Sequence, residues 1–169
     1  MGYIHIYTGN GKGKTTAAFG LAIRALMSGK KVYIGQFVKD MAYNETKISN
    51  DYKDLTIEQL GKGCFIERKP TDEDKRIAKA ALDKCYKLCE SNTYDLIILD
   101  ELCIALYFKL FSVQVVIDYF FNQKFKAEIV FTGRYCPEEM IEKADLVTEM
   151  KEIKHYFSQG ITSRDGFDR

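Results

Sequence analysis

The residues with the clearest chemical potential lie between Thr8 and Thr16, in the stretch TGNGKGKTT. Gly9, Gly11 and Gly13 alternate with Asn10 and Lys12 and lead into Lys14, Thr15 and Thr16. Small residues let successive backbone N–H groups converge on phosphate oxygens, and a helix starting just behind them adds its partial positive charge. Lys14 is placed to bridge phosphates, and the Thr15 hydroxyl is suited to a Mg²⁺ ion. Such loops usually begin with glycine; here Thr8 holds that place and Gly9 supplies the turn. A dinucleotide fingerprint would need glycine three residues after Gly11, where Lys14 stands. The bland alternative is a glycine-rich hairpin with exposed lysines. An apolar run before the loop and a helical pattern after it favour nucleotide binding.

A phosphate loop calls for an acidic residue at the end of a neighbouring buried strand. LIILDE supplies Asp100 and Glu101 there. Glu101 is the candidate to share the metal with Thr15 or to activate a water, while Asp100 could equally serve as a helix N-cap. In TGR, Arg134 follows another apolar run, which puts its guanidinium at the edge where open α/β sheets bind ligands. It either stabilises phosphate charge or is an exposed structural residue. General bases are scarce: the two histidines are His5, inside the first apolar run, and His155, in the polar tail. Cys85 and Cys89, four apart on a helical pattern, read as core packing, since no further ligand completes a zinc set.

The elements that must hold these groups alternate between short apolar runs and helical patterns, which predicts an α/β fold with a mainly parallel, three-layer sheet. Strands are expected at about 3–7, 30–37, 55–60, 94–101, 126–134 and 145–150. Helices are expected at about 15–28, 71–90, 112–122 and 137–144. TDED after Pro70 places carboxylates in a first helical turn, where the macrodipole favours them. The polar connections 38–54 and 61–70 are long for a compact domain, and long connections are often functional.

With 169 residues, 46% hydrophobic and 29% charged, the chain reads as one soluble domain. A net charge of +1 gives no electrostatic reason to expect nucleic acid or a membrane surface as partner. The five cysteines are odd in number and scattered, as expected of reduced thiols. An N-terminus that runs straight into a strand and its loop carries no signal-peptide pattern, so the expected location is the cytoplasm.

GNGKGKTTAAFGLAIRA, IGQFVK, LDEL, TGR, ADLVTEMKEIKH and FSQGITSRDGFD follow one another along the chain. Together, from Tyr3 to Asp168, they resemble the P-loop corrinoid adenosyltransferases. The resemblance implies that cob(I)alamin or another reduced corrinoid attacks C5′ of ATP, releasing triphosphate and forming a cobalt–carbon bond. It further implies a single RecA-like domain over residues 1–169, ATP and Mg²⁺ at the loop, a homodimer, and a flavoprotein as electron source. Carried over by motif, Gly9, Asn10, Gly11, Lys12, Gly13, Lys14, Thr15 and Thr16 line the triphosphate. Thr15 and Glu101 lie on Mg²⁺, Arg24 and Arg134 lie near the nucleotide, and Lys14, Glu101 and Arg134 act in catalysis. Phe65, in GCFI where the family has GFTW, offers apolar bulk to the corrinoid. A cobalt(I) nucleophile has no proton to lose, which fits a chain poor in general bases. The alternatives are a P-loop ATPase or kinase acting at the γ-phosphate, and a nucleotide- or corrinoid-binding module without turnover.

Overall fold

The computed structural model describes residues 1–38, 43–61 and 69–168. Its centre is a six-stranded sheet made of β1 (Ile4–Thr8), β2 (Val32–Gln36), β3 (Leu55–Gln59), β4 (Leu96–Asp100), β5 (Glu128–Thr132) and β6 (Leu146–Glu149). The spatial order is β3-β2-β4-β5-β1-β6, and every neighbouring pair is parallel. The runs VYIGQ and LIILD suit this setting, because strands covered on both faces carry apolar residues at nearly every position. Parallel pairing also sends all the strand C-termini to one edge, where the loop, Asp100, Thr132 and Gln36 meet.

Side chains alternate across the sheet with period two. Ile98 of β4 and Val130 of β5 pack with Ala18, Phe19, Ala22 and Leu26 of α1 (Lys14–Met27) on one face. Ile97, Leu99, Ile129 and Phe131 face the other way, onto Ala78, Leu82, Cys85 and Cys89 of α2 (Asp72–Ser91) and onto α3 (Leu102–Tyr107). The result is the three-layer arrangement expected from the sequence. Burying each such aliphatic side chain contributes about 1.5–3 kcal/mol, so the two apolar layers anchor the strands beneath the edge. Cys85 and Cys89 are core residues, and burial pushes the Cys85 thiol up to about 12.

Helix boundaries follow local chemistry. Thr71 caps α2, and Asp74 returns a carboxylate to the Thr71 N–H in a capping box. The expected helix at 112–122 begins as α4 (Val113–Val116), capped by Ser112, and continues as a π-helical segment over Ile117–Phe121. α5 (Glu138–Lys143) follows Pro137. α3 has no counterpart among the expected helices. Its sequence, LCIALY, lacks a polar face, so no amphipathic period marks it. Short 3₁₀ segments at Asn44–Asn50 and Tyr156–Gln159 likewise lie in stretches read as irregular. Among the described residues, no helix is long and apolar enough to cross a membrane.

Candidate active site

The loop 9–13 turns from β1 into α1 through two left-handed glycines, Gly9 (φ 94°) and Gly13 (φ 115°). Gly13 occupies the N-cap position and offers no side chain to the first turn, which also contains no acidic residue. The N-terminal N–H groups of α1 therefore keep their attraction for an external anion.

Lys14 is buried, and its ammonium folds back into the loop. It donates to the carbonyls of Gly9 (2.9 Å) and Gly11 (2.6 Å). Burial lowers its pKa, and the positive charge of Arg134 lowers it further, while Glu101 and Asp100 oppose that shift. Arg134 is exposed just beyond β5 and Glu101 is half-buried just beyond β4, and the charges of both are felt at Lys14. A phosphate would relieve the mutual repulsion of the two cations.

Asp100 is the hub of the edge. It is fully buried at the end of β4, and its Oδ1 accepts from the Thr15 hydroxyl (2.9 Å) and the Thr132 hydroxyl (2.7 Å). Its Oδ2 accepts from the Gln36 amide at 3.2 Å. The alternative reading of Asp100 as a helix cap does not hold. The N-cap of α3 is Glu101, in left-handed backbone (φ 60°) and without a side-chain cap bond. The Glu101 N–H is held by Thr132 Oγ1 at 3.0 Å. Sequence reasoning named Glu101 and passed over Thr132 and Gln36, although both end apolar strands at the same edge.

The C-terminal segment runs over the loop. The Gly11 N–H donates to the Met150 carbonyl (2.6 Å), and the Met150 N–H donates to the Thr8 carbonyl (2.9 Å). A Cβ on Gly9 or Gly11 would meet the Met150 carbonyl oxygen at 2.5 or 2.6 Å, so these glycines admit the tail as well as any phosphate. Lys12 reaches outward into that tail. Its ammonium donates to Tyr156 Oη (2.8 Å), to the Phe167 carbonyl (2.7 Å) and to the Asp168 carboxylate. Arg164 also binds Asp168 and lies over the Tyr156 ring, 4.5 Å from its centroid. These cations hold the Asp168 carboxyl well below the usual carboxylate range.

Asn10 and Thr16 are exposed at the loop. Arg24 is exposed in the last turn of α1, about 15 Å along the helix axis from Lys14; the structure does not bring it to the loop. Phe65 lies outside the described residues. His5 pairs with Glu128 at 2.9 Å, and His155 Nδ1 accepts from the Phe157 N–H, so both histidines have local structural partners. Cys103, two residues after Glu101, is buried, and the neighbouring Cys136 thiol together with burial raises its pKa. Among the described residues, no three His, Cys, Asp or Glu converge as a metal site by themselves.

The chain is similar to known proteins over almost its whole length. The family model described as ATP:corrinoid adenosyltransferase BtuR/CobO/CobP matches residues 1–168. The corrinoid adenosyltransferase of a Sinorhizobium species is 36% identical over 171 residues, covering 99% of this chain and 80% of the relative. That of Pseudomonas aeruginosa is 34% identical over 169 residues, with 99% and 83% covered. The Escherichia coli K12 protein of the same name is 29% identical over 167 residues, with 99% and 85% covered. With its parallel sheet and this match over nearly the whole chain, the chain belongs to the ATP:corrinoid adenosyltransferase family.

Proposed function

We propose that the chain transfers the 5′-deoxyadenosyl group of ATP to the cobalt of a reduced corrinoid, with inorganic triphosphate as the leaving group. The carrying observation is the edge itself. Lys14 and the α1 N-terminus offer positive charge to a phosphate, the charge of Arg134 is felt at Lys14, and this reading gives Glu101 to the metal and assigns no general base. Cob(I) needs none, because its nucleophile is an electron pair on cobalt with no proton to remove. What remains for the protein is to hold C5′ in line with cobalt and to stabilise charge growing on the departing triphosphate.

In this reading the N–H groups of the loop and Lys14 bind the triphosphate, and Arg134 adds charge from the turn after β5. Gly9 to Thr16 form the nucleotide cradle. Lys12 lies between the phosphates and the tail and is shared by the two. The oxygen donors Thr15, Asp100 and Glu101 fit Mg²⁺, a hard cation that favours hydroxyl and carboxylate ligands. Thr15 and Glu101 would hold it, with Asp100 orienting the Thr15 hydroxyl; when bound, the ion neutralises phosphate charge. A homodimer and a flavoprotein reductant, in the cytoplasm, complete the reading; the exposed edge strand β6, with Leu146 and Val147 on its surface, supports self-association.

The test is the corrinoid dependence of ATP consumption. Incubated with MgATP alone, the protein should leave ATP intact; adding chemically reduced cobalamin should start turnover. Steady release of ADP or phosphate without corrinoid would sink the reading in favour of an ATPase or kinase. Saturable binding without turnover, even with fully reduced cobalt, would mark a binding module.

A further inference from the structure

Two tyrosines beside the site have no role in the account so far. Tyr107 ends α3, the helix that begins behind Glu101, and Tyr135 directly follows Arg134. Their rings stack with centroids 4.4 Å apart and planes inclined by 28°. Both remain more than half exposed, at 55% and 54%. A stacked pair this open offers a preformed aromatic face to a ligand.

The pair is also held deliberately. Tyr135 takes a left-handed backbone (φ 60°), a conformation that is costly for a bulky L-residue and free for glycine. Its ring lies against Tyr107, while the charge of the preceding Arg134 is felt at Lys14. Tyr107 is braced in turn by Phe108, edge-on at 5.4 Å, which packs against the core. Adjacent residues therefore divide the edge: Arg134 serves the phosphate side and Tyr135 builds an aromatic surface next to it.

We propose that Tyr107 and Tyr135 form a preorganised platform that seats the corrin macrocycle beside the nucleotide. The proposal rests on the corrinoid reading above. The chemistry favours the macrocycle over adenine, because the pair is an open surface two rings wide, whereas a purine is usually enclosed on most of its area. Phenol edges around an apolar face also match a flat macrocycle fringed with amides. A rigid platform would fix the corrin's tilt at little entropic cost.

Equilibrium dialysis of cob(II)alamin against the full chain with saturating MgATP tests this. The variants are Tyr107→Ser, Tyr135→Gly, Tyr135→Phe and the double variant Tyr107→Ser/Tyr135→Gly. The double variant should bind cob(II)alamin about 10-fold more weakly or worse. Tyr135→Phe should stay near wild type, and in turnover the loss should appear in the corrinoid KM. MgATP affinity and gel-filtration volume should not change in any variant. Misfolding does not cloud Tyr135→Gly, since glycine suits that backbone. Unchanged corrinoid binding overturns the platform. Weakened MgATP binding would reassign the rings to adenine, and a shift in oligomeric state would reassign them to a contact between copies; either overturns it. Failure of the wild type itself to retain cob(II)alamin would remove the corrinoid reading and the platform together, a result distinct from all of these.

Discussion

The Thr15 hydroxyl donates to Asp100 Oδ1 at 2.9 Å, joining the phosphate loop directly to the end of β4. β5 lies between β4 and β1 in the sheet, and its Thr132 donates to the same oxygen at 2.7 Å. One carboxylate thus sets the distance between the loop and the two strands that carry Glu101 and Arg134.

Asp100→Ala should lose both stability and activity. The substitution leaves the Gln36 amide and two hydroxyls without their acceptor in a buried place. Leaving such groups unpaired costs about 1–3 kcal/mol each, less where a hydroxyl can turn to another partner, so a total of about 3 kcal/mol is expected. Urea denaturation measures the stability, and adenosylation with MgATP and cob(I)alamin measures turnover. A variant as stable and active as wild type would show that Asp100 does not organise the edge.

Lys14→Ala should lower kcat by about 100-fold or more while leaving the corrinoid KM near its wild-type value, because the lysine serves the leaving group. Lys14 also predicts a pH effect. Burial first, and Arg134 second, lower its pKa below 10.5 in the folded chain, so the unfolded chain holds the proton more tightly. Between the folded-state pKa and 10.5, stability should therefore rise with pH. Denaturation midpoints followed across that alkaline window should rise less steeply for Lys14→Met than for wild type.

Gly11→Ala should disturb the tail before it disturbs the core. An added Cβ would meet the Met150 carbonyl oxygen at 2.6 Å, and backbone cannot yield as a side chain can. Gly9→Ala adds the strain of a left-handed φ, about 1–2 kcal/mol. Thermal melting should rank wild type above Gly11→Ala and Gly11→Ala above Gly9→Ala. Equal melting temperatures would mean that the tail does not pack on the loop in solution.

Lys12→Ala and Asp168→Ala should release the same segment. Both remove the Lys12–Asp168 ion pair, part of what holds residues 156–168 on the loop and remote from the core, so global stability should change little. Limited proteolysis should cut that segment faster in either variant, and the double variant should cut no faster than the singles. Additive effects would mean that Lys12 and Asp168 do not act through each other.

The scaffold was legible where the chemistry is local. The loop, the apolar run before Asp100 and the capping box at Thr71 each declare themselves within a few residues. The Asp100 hub was not, because its partners Thr15, Gln36 and Thr132 are 85, 64 and 32 residues away. Thr132 and Gln36 gain meaning only when parallel pairing brings strand ends to one edge. The tail was opaque for a related reason. Its polar, aperiodic sequence folds by reaching Lys12 across more than 140 residues, a contact that local pattern cannot encode. Arg24, which the resemblance sets near the nucleotide, lies in the last turn of α1, at the far end from the loop. The pairing of Tyr107 with Tyr135 needed both α3, which lacks an amphipathic period, and a left-handed tyrosine that no propensity favours.

The central claim is that the bond broken joins C5′ to the triphosphate. It is tested most directly by product stoichiometry in a single anaerobic reaction with MgATP and cob(I)alamin. The account predicts equal amounts of inorganic triphosphate and a light-sensitive alkylcobalamin, with no ADP. ADP or phosphate forming in place of triphosphate, with the cobalamin unalkylated, would contradict it.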